Sequence, residues 1–223
     1  MMARFSKQDI QTTYRNIAKK YDLLSKLLFL IGFREKAYRK QAVAQLHLGA
    51  GDSVVELGCG TGMNFPLLQN QIGSRGRIVG VDFSEAMLAE AQKRIDYHGW
   101  SNIDLIHCDA AEYVFSQPVD GIISTFSLVF MPDYEQIIRQ GGQGLKAGKR
   151  FVVLDQKIPS GSLQRYSFIF DLLAKPFSVT AHMSDRRPWQ LFNQYFERVI
   201  FREFYLGFCY LVVGEKYLPK GKA

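Results

Sequence analysis

Three glycines at alternate positions, Gly58, Gly60 and Gly62, end the short apolar run VVEL (54–57) and precede MNFPLLQNQI, which has helical spacing. A strand that turns through glycines into a helix lets a ligand approach bare backbone. Asp82 ends the next apolar run, RIVGVD (77–82), twenty residues after Gly62. A carboxylate there can accept both hydroxyls of a ribose. Alone, the glycines fit an ordinary packing turn of an α/β fold; with Asp82 they point to a nucleoside. The dinucleotide pattern GxGxxG is not met, because Met63 follows Gly62, and no GK[ST] is present, so phosphate binding has little support. A nicotinamide-linked reductase stays open as an alternative.

Other candidate chemistry is sparser. Cys59, Cys108 and Cys209 form no CxxC pair and the four histidines show no HExxH spacing, so no metal site is expected. Tyr14 and Tyr21 stand seven residues apart, on one face of a helix, as lid residues or as simple packing. His182 and Asp185 lie in an irregular stretch and are weak candidates for a base.

The elements that must position these groups follow from periodicity. Apolar residues Ile10, Tyr14, Ile17, Tyr21, Leu24, Leu27 and Leu28 predict a helix, with Ser6 and Asp9 at its start and Gly32 at its end. A second helix is expected over about 34–46. Strands and helices then alternate: SVVEL, RIVGVDF, NIDLIHCD, VDGIISTF and RFVVLD read as strands, with KAGKR as a turn before the last. The helix SEAMLAEAQKRIDYH has a Ser cap and ends at Gly99. This order implies parallel strands joined by right-handed crossovers, an open doubly wound sheet. RRPWQLFNQYFE resumes a helix, and RVIFREFY and FCYLVVGEK make an antiparallel hairpin around Gly207.

Composition bounds the rest. The 223 residues are 47% hydrophobic and 22% charged, which excludes disorder as the main state and suits one domain. No apolar run is long enough to cross a bilayer and no leader pattern opens the chain, so a cytoplasmic, reducing location is expected. The net charge is +7, and residues 1–50 carry ten Lys or Arg against three Asp or Glu, whereas residues 51–223 carry 18 of each. A neutral core disfavours nucleic acid as a partner. The basic first fifth, with LLSKLLFLIGF, suits a helix lying on an anionic membrane surface.

VVELGCGTGMN, GVDFSEAMLAEAQKRI and LIHCDAAEY together resemble the class I S-adenosylmethionine-dependent methyltransferases over roughly residues 50–155. Within that superfamily YRNIAKKYDLLS is similar to the lead-in of quinone-biosynthesis methyltransferases and of bacterial phospholipid N-methyltransferases. The resemblance implies a Rossmann-like, seven-stranded, mostly parallel sheet with helices on both faces and an antiparallel C-terminal hairpin. It implies S-adenosylmethionine as cofactor and S-adenosylhomocysteine as product. Glu56, Gly58, Cys59, Gly60 and Thr61 would hold the methionine end, Asp82 the ribose, and Phe83 and Met87 would lie beside the adenine. Asp109 and Ala110 would meet the adenine amine and ring, Ser124 to Phe126 would line the opening to the acceptor, and Tyr14 and Tyr21 would close over the cofactor. Residues 1–49 would be a helical lid and residues 50–223 the cofactor domain, with an acceptor-site insertion near 156–185.

The acceptor is less defined. No NPPY tetrapeptide of the nucleobase amino-methylating enzymes is present, the fourth strand ending STFSLVFMPD instead. YSFIFDLLAKPFSV (166–179) and the N-terminal helix suit an amphiphilic acceptor, although a soluble small molecule inside an ordinary lid fits the same pattern. RFVVLDQKIP is similar to the fifth strand of the quinone enzymes, but their C-terminal arginine- and tyrosine-bearing motif is replaced by RRPWQLFNQYF. A quinone precursor and a phospholipid amine are therefore both expected acceptors, with a non-catalytic cofactor-binding subunit as the alternative from another class. The oligomeric state has no signature in the sequence.

Overall fold

The computed structural model describes residue 12, residues 15–159 and residues 186–217. Tyr14, His182, Asp185, the Ser6–Asp9 helix start and the 166–179 stretch lie outside the described residues. Three-residue and four-residue 3₁₀ turns, Ala18–Lys20 and Leu28–Ile31, flank a short helix α1 (Tyr21–Leu27). The single long helix expected here is thus broken into turns, and it ends at Gly32, whose φ of 81° and N–H bond to Phe29 O reverse the chain. Helix α2 (Glu35–Gln45) follows.

The remainder alternates: β1 (Ser53–Leu57), α3 (Phe65–Ile72), β2 (Arg77–Asp82), α4 (Glu85–His98), β3 (Ile103–His107), β4 (Val119–Thr125), α5 (Tyr134–Gly144) and β5 (Leu145–Gln156). Helix α6 (Pro188–Tyr195) and the hairpin β6 (Arg198–Phe204) and β7 (Cys209–Glu215) complete it. One seven-stranded sheet results, in the order β3-β2-β1-β4-β5-β7-β6, with β7 antiparallel to both neighbours. The expected fold class is the observed one. Burial follows the order: CYLVVG in β7 is buried throughout and takes the inner place, while RVIFREF in β6 carries three charged residues, has no fully buried position and takes the edge.

Two cores cover the two faces. Ala42, Val43, Phe65, Leu68, Ile72, Ala91 and Ile95 from α2, α3 and α4 pack on one, and Ile137, Ile138, Phe192 and Phe196 from α5 and the α6 segment on the other. Two local expectations differ. KAGKR is part of β5 rather than a turn before it: Leu145 pairs with Val119, the register then shifts, and Gly148 at φ 73° takes up the extra residues. Ser84 stands at the start of α4 but its hydroxyl makes no cap bond; its backbone N–H donates instead to Asp82 Oδ1 at 2.9 Å.

From β1 the chain moves outward to β2 and β3, then returns to place β4 on the other side of β1. Such a switch opens a crevice at the carboxyl ends of β1 and β4, where a doubly wound sheet takes its ligand.

Candidate active site

The crevice is an open cleft enclosing about 860 Å³, the solvent at its mouth included. Its floor is the glycine turn after β1. Gly58 has φ 71°, and a Cβ there would stand 2.4 Å from Ser127 Oγ, so both backbone angle and space require glycine. Gly60 has φ 54° and open space where a Cβ would project, leaving its backbone bare toward a ligand.

Asp82 pins this turn from the next strand. Its Oδ2 accepts the Gly60 N–H at 2.8 Å and its Oδ1 the Ser84 N–H, while the residue still borders the cleft. Burial pushes the carboxyl up to about 6, against the pull of these amides. At neutral pH it is an anion with lone pairs left for hydroxyl donors. Phe83 and Met87 border the cleft beside it, and Asp109 and Ala110 close that end after β3. The Asp109 side chain accepts the Ala111 N–H at 2.9 Å, which fixes its loop.

Across the cleft, β4 delivers Thr125 and Phe126, followed by Ser127, Phe130, Met131 and Pro132. Phe126 is held at φ 54°, a region that costs a non-glycine residue, and its N–H donates to Leu154 O at 2.8 Å. The loop beyond it is tied down by fully buried Asp155, whose Oδ2 accepts the Val129 N–H at 2.8 Å. Burial raises Asp155 to about 7.

The N-terminal elements form the third wall. Tyr21 borders the cleft, and burial beside Glu35 raises its phenol well above the ordinary value. Its neighbour Asp22 latches this segment to the glycine turn: Thr61 Oγ1 donates to Asp22 Oδ1 at 2.6 Å, and Arg94 of α4 pairs with the other oxygen.

A buried polar network lies behind this wall. Arg39 of α2 donates from Nε to Glu35 Oε1 at 2.8 Å and from Nη1 to Thr125 Oγ1, and its guanidinium sits 5.0 Å from the Phe126 ring centroid. Asn64 Nδ2 bridges Glu56 Oε1 at 2.6 Å and Thr125 Oγ1 at 2.9 Å. Glu56 Oε2 has no donor, and burial pushes this carboxyl up to about 7. Arg39 is the only Lys or Arg among the described lining residues.

The cleft therefore gathers Tyr21, Gly58, Cys59, Gly60, Thr61, Asp82, Phe83, Met87, Asp109, Ala110 and Phe126 of the sequence candidates. Glu56 and Ser124 are exceptions. Both are buried and neither borders the cleft: Glu56, on the same sheet face as Thr125, lies behind it against Asn64, and alternation along β4 turns the Ser124 hydroxyl to Ser127 Oγ at 2.9 Å. Thr125, within the expected Ser124–Phe126 stretch, lines the cleft as well, whereas Arg39, Ser127, Met131 and Asp22 escaped sequence reading. The YD pair of Tyr21 and Asp22 was visible, but only the fold shows that an N-terminal arginine and a residue of β4 share a hydrogen bond.

Comparison with known proteins agrees with this geometry. A demethylmenaquinone methyltransferase of Shouchella clausii is 30% identical over 76% of this chain and 72% of its own. Another, of Staphylococcus haemolyticus, is 27% identical over 94% and 95%. Among solved structures, phosphoethanolamine N-methyltransferase 2 of Haemonchus contortus in complex with S-adenosyl-L-methionine superposes with a TM-score of 0.61 at 14% identity, covering 77% of this chain and 50% of that one. A methyltransferase of Aquifex aeolicus superposes with a TM-score of 0.54 at 17% identity, over 79% and 88%. The model of the ubiE/COQ5 methyltransferase family matches residues 2–183. With the glycine turn and the acidic strand end meeting at the switch point of the sheet, that match makes the chain a member of the ubiE/COQ5 methyltransferase family, an enzyme that transfers a methyl group from S-adenosylmethionine.

Proposed function

We propose that this enzyme methylates the ring of a prenylated quinol, a precursor of the menaquinone type, and that residues 1–49 act as the lid of its cleft. The relatives named demethylmenaquinone methyltransferases, one of them alignable over nearly the whole chain, support this acceptor. The observation that carries it is the chemistry of the wall after β4, where Phe126, Phe130, Met131 and Pro132 line the cleft with apolar side chains. A fused aromatic ring buries its faces well in such surroundings.

The cofactor, when bound, supplies a methyl group already activated on a sulfonium. The chain must then align two reactants and exclude water. Asp82, ionised above its raised pKa, would hold the ribose hydroxyls. Arg39 would supply the cation for the carboxylate of the methionine end, and the donor-less Glu56 Oε2 supports a shift of Glu56 toward the ammonium beside it. Tyr21, Thr125 and Ser127 are the lining hydroxyls able to hold a ring oxygen. By accepting the ring hydroxyl's proton in a hydrogen bond they would raise electron density on the ring carbon that takes the methyl, and that carbon would then pass its own proton to water, restoring aromaticity.

The test is transfer of label from methyl-tritiated S-adenosylmethionine to a reduced prenylated naphthoquinone, with the Asp82→Ala enzyme as control. One added methyl on the ring, dependent on Asp82, is the expected product. Label on phosphatidylethanolamine instead would overturn the quinol reading, and label confined to water-soluble products would overturn the lipophilic one.

A further inference from the structure

Two turns distant in sequence meet at one edge of the molecule. Leu28–Ile31 leads through Gly32 to Phe33, and Tyr205–Gly207 joins β6 to β7. The rings of Phe33 and Tyr205 meet edge to face at 5.3 Å. Apolar side chains stand in solvent on both turns: Phe29 is 66% exposed, Leu30 80% and Leu206 71%, with Leu23 and Leu27 of α1 also exposed. Single exposed leucines are ordinary on a protein surface, but a group gathered from two segments marks a surface that meets something apolar.

The hairpin turn is built at a cost. Tyr205 and Leu206 have φ of 48° and 57°, left-handed angles that residues with a Cβ avoid. Two such residues in succession, with the second bearing an exposed leucine, point to a use for the side chain.

Charge identifies the partner. Arg15, Lys19, Lys20, Arg34 and Lys36 are exposed around the first of these segments, and the first fifth of the chain carries the whole net charge of +7. Exposed leucines and phenylalanine beside a ring of cations match the boundary of an anionic bilayer, where apolar groups enter the acyl region and cations meet the headgroups. The edge also communicates with the cleft. Phe33 touches Tyr205 on one side and Phe126, a lining residue, on the other at 5.8 Å.

We propose that the 28–31 and 205–207 turns form one lipid-inserting edge that seats the enzyme on an anionic membrane surface, with the row Tyr205–Phe33–Phe126 as the wall along which an apolar acceptor tail leaves the cleft. The route for the tail rests on the quinol reading above; the seating on lipid does not.

The test uses the full chain and sedimentation with vesicles of phosphatidylglycerol or of phosphatidylcholine. Wild type is expected on the anionic vesicles and about tenfold less on the zwitterionic ones. The pair Leu30→Ser and Leu206→Gly should lower binding to phosphatidylglycerol by about tenfold or more, from the loss of two buried leucines. Glycine suits the left-handed angle at 206, so the melting temperature should hold. Turnover of a tail-less naphthoquinol in solution should also hold, while turnover of a prenylated one embedded in vesicles should fall with binding. Unchanged vesicle binding by the double variant would overturn the edge. So would a wild-type dimer in sedimentation equilibrium that the same pair dissociates, since the patch would then belong to a second copy. Wild type that binds vesicles as expected yet methylates neither quinol supports the edge and removes the acceptor reading alone.

Discussion

Asp82 offers a test in which the ligand contact and the loop contact separate. Its two oxygens already accept the amides of Gly60 and Ser84, at 2.8 and 2.9 Å, so any ribose hydroxyl meets the remaining lone pairs of a buried anion. Hydrogen bonds to a charged acceptor contribute about 1 kcal/mol more than those to a neutral one. Two hydroxyls therefore make Asp82→Asn about 2 kcal/mol weaker, or about 30-fold in Kd. Asp82→Asn also turns a donor toward one of the Gly60 and Ser84 amides, whereas Asp82→Ala leaves both without an acceptor and should reach about 3 kcal/mol, above 100-fold. Calorimetric titration with S-adenosylhomocysteine at pH 8, where Asp82 is ionised in wild type, measures both. The decisive arm repeats the titration with the 2′,3′-dideoxyribose analogue. Asp82→Asn should weaken this analogue at least about tenfold less than it weakens the parent, because only the loop amide then distinguishes it from wild type. A variant that weakens the analogue as much as the parent would refute the ribose contact and leave Asp82 as a brace for the glycine turn.

Further outcomes follow from the same geometry. Because Asp82 is raised to about 6 and its ionised form binds, S-adenosylhomocysteine affinity should be flat above pH 7 and about tenfold weaker near pH 5, a slope that Asp82→Asn abolishes in titration. Glu56 and Asp155, both raised to about 7 by burial, keep their protons in the folded apo-protein after an unfolded chain has lost them near 4. The folded state then binds more protons over that window, so stability falls as pH rises through it, and the melting temperature should be higher at pH 5.5 than at pH 8; Glu56→Gln should reduce the difference. Asp22→Ala breaks the latch to Thr61 and Arg94; with the partly exposed ion pair discounted, about 1 kcal/mol is lost, and steady-state kinetics should show KM for S-adenosylmethionine rising about fivefold with kcat little changed. Gly58→Ala should abolish cofactor binding in the same titration, and adding Ser127→Gly, which removes the nearest clash, should restore part of it.

The sheet was legible because each strand announces its place chemically. VVEL and GIIST are apolar on both faces and read as inner parallel strands, and the glycine triplet marks the ligand end of the first. The acidic residue at the end of β2 could be assigned from spacing alone. Residues that act across the fold were not legible. Arg39 stands in a polar helix and follows eight other basic residues in the first 38, and nothing in its neighbourhood distinguishes it until Thr125, 86 positions later, is placed against it. Glu56 is picked out by its motif, but only the fold shows Asn64, eight residues on, holding its Oε1 behind the cleft. The N-terminal segment has helical apolar spacing throughout, yet the fold breaks it at residues 18–20 and 28–31, which local spacing does not foretell.

The inner position of β7 has a consequence for the order of assembly. β5 is apolar over Phe151–Leu154 and pairs on its far side with β7, whose residues begin at Cys209. During synthesis, every strand up to β5 can find its partner while that far side stays open until the end of the chain emerges. A chain stopped after α6 would present a long, flat, apolar strand with unpaired amides, the kind of edge to which other chains add. Cys209–Glu215 therefore act as a closing seam: they bring no group to the cleft, but they cover the edge through which an unfinished chain would start an aggregate.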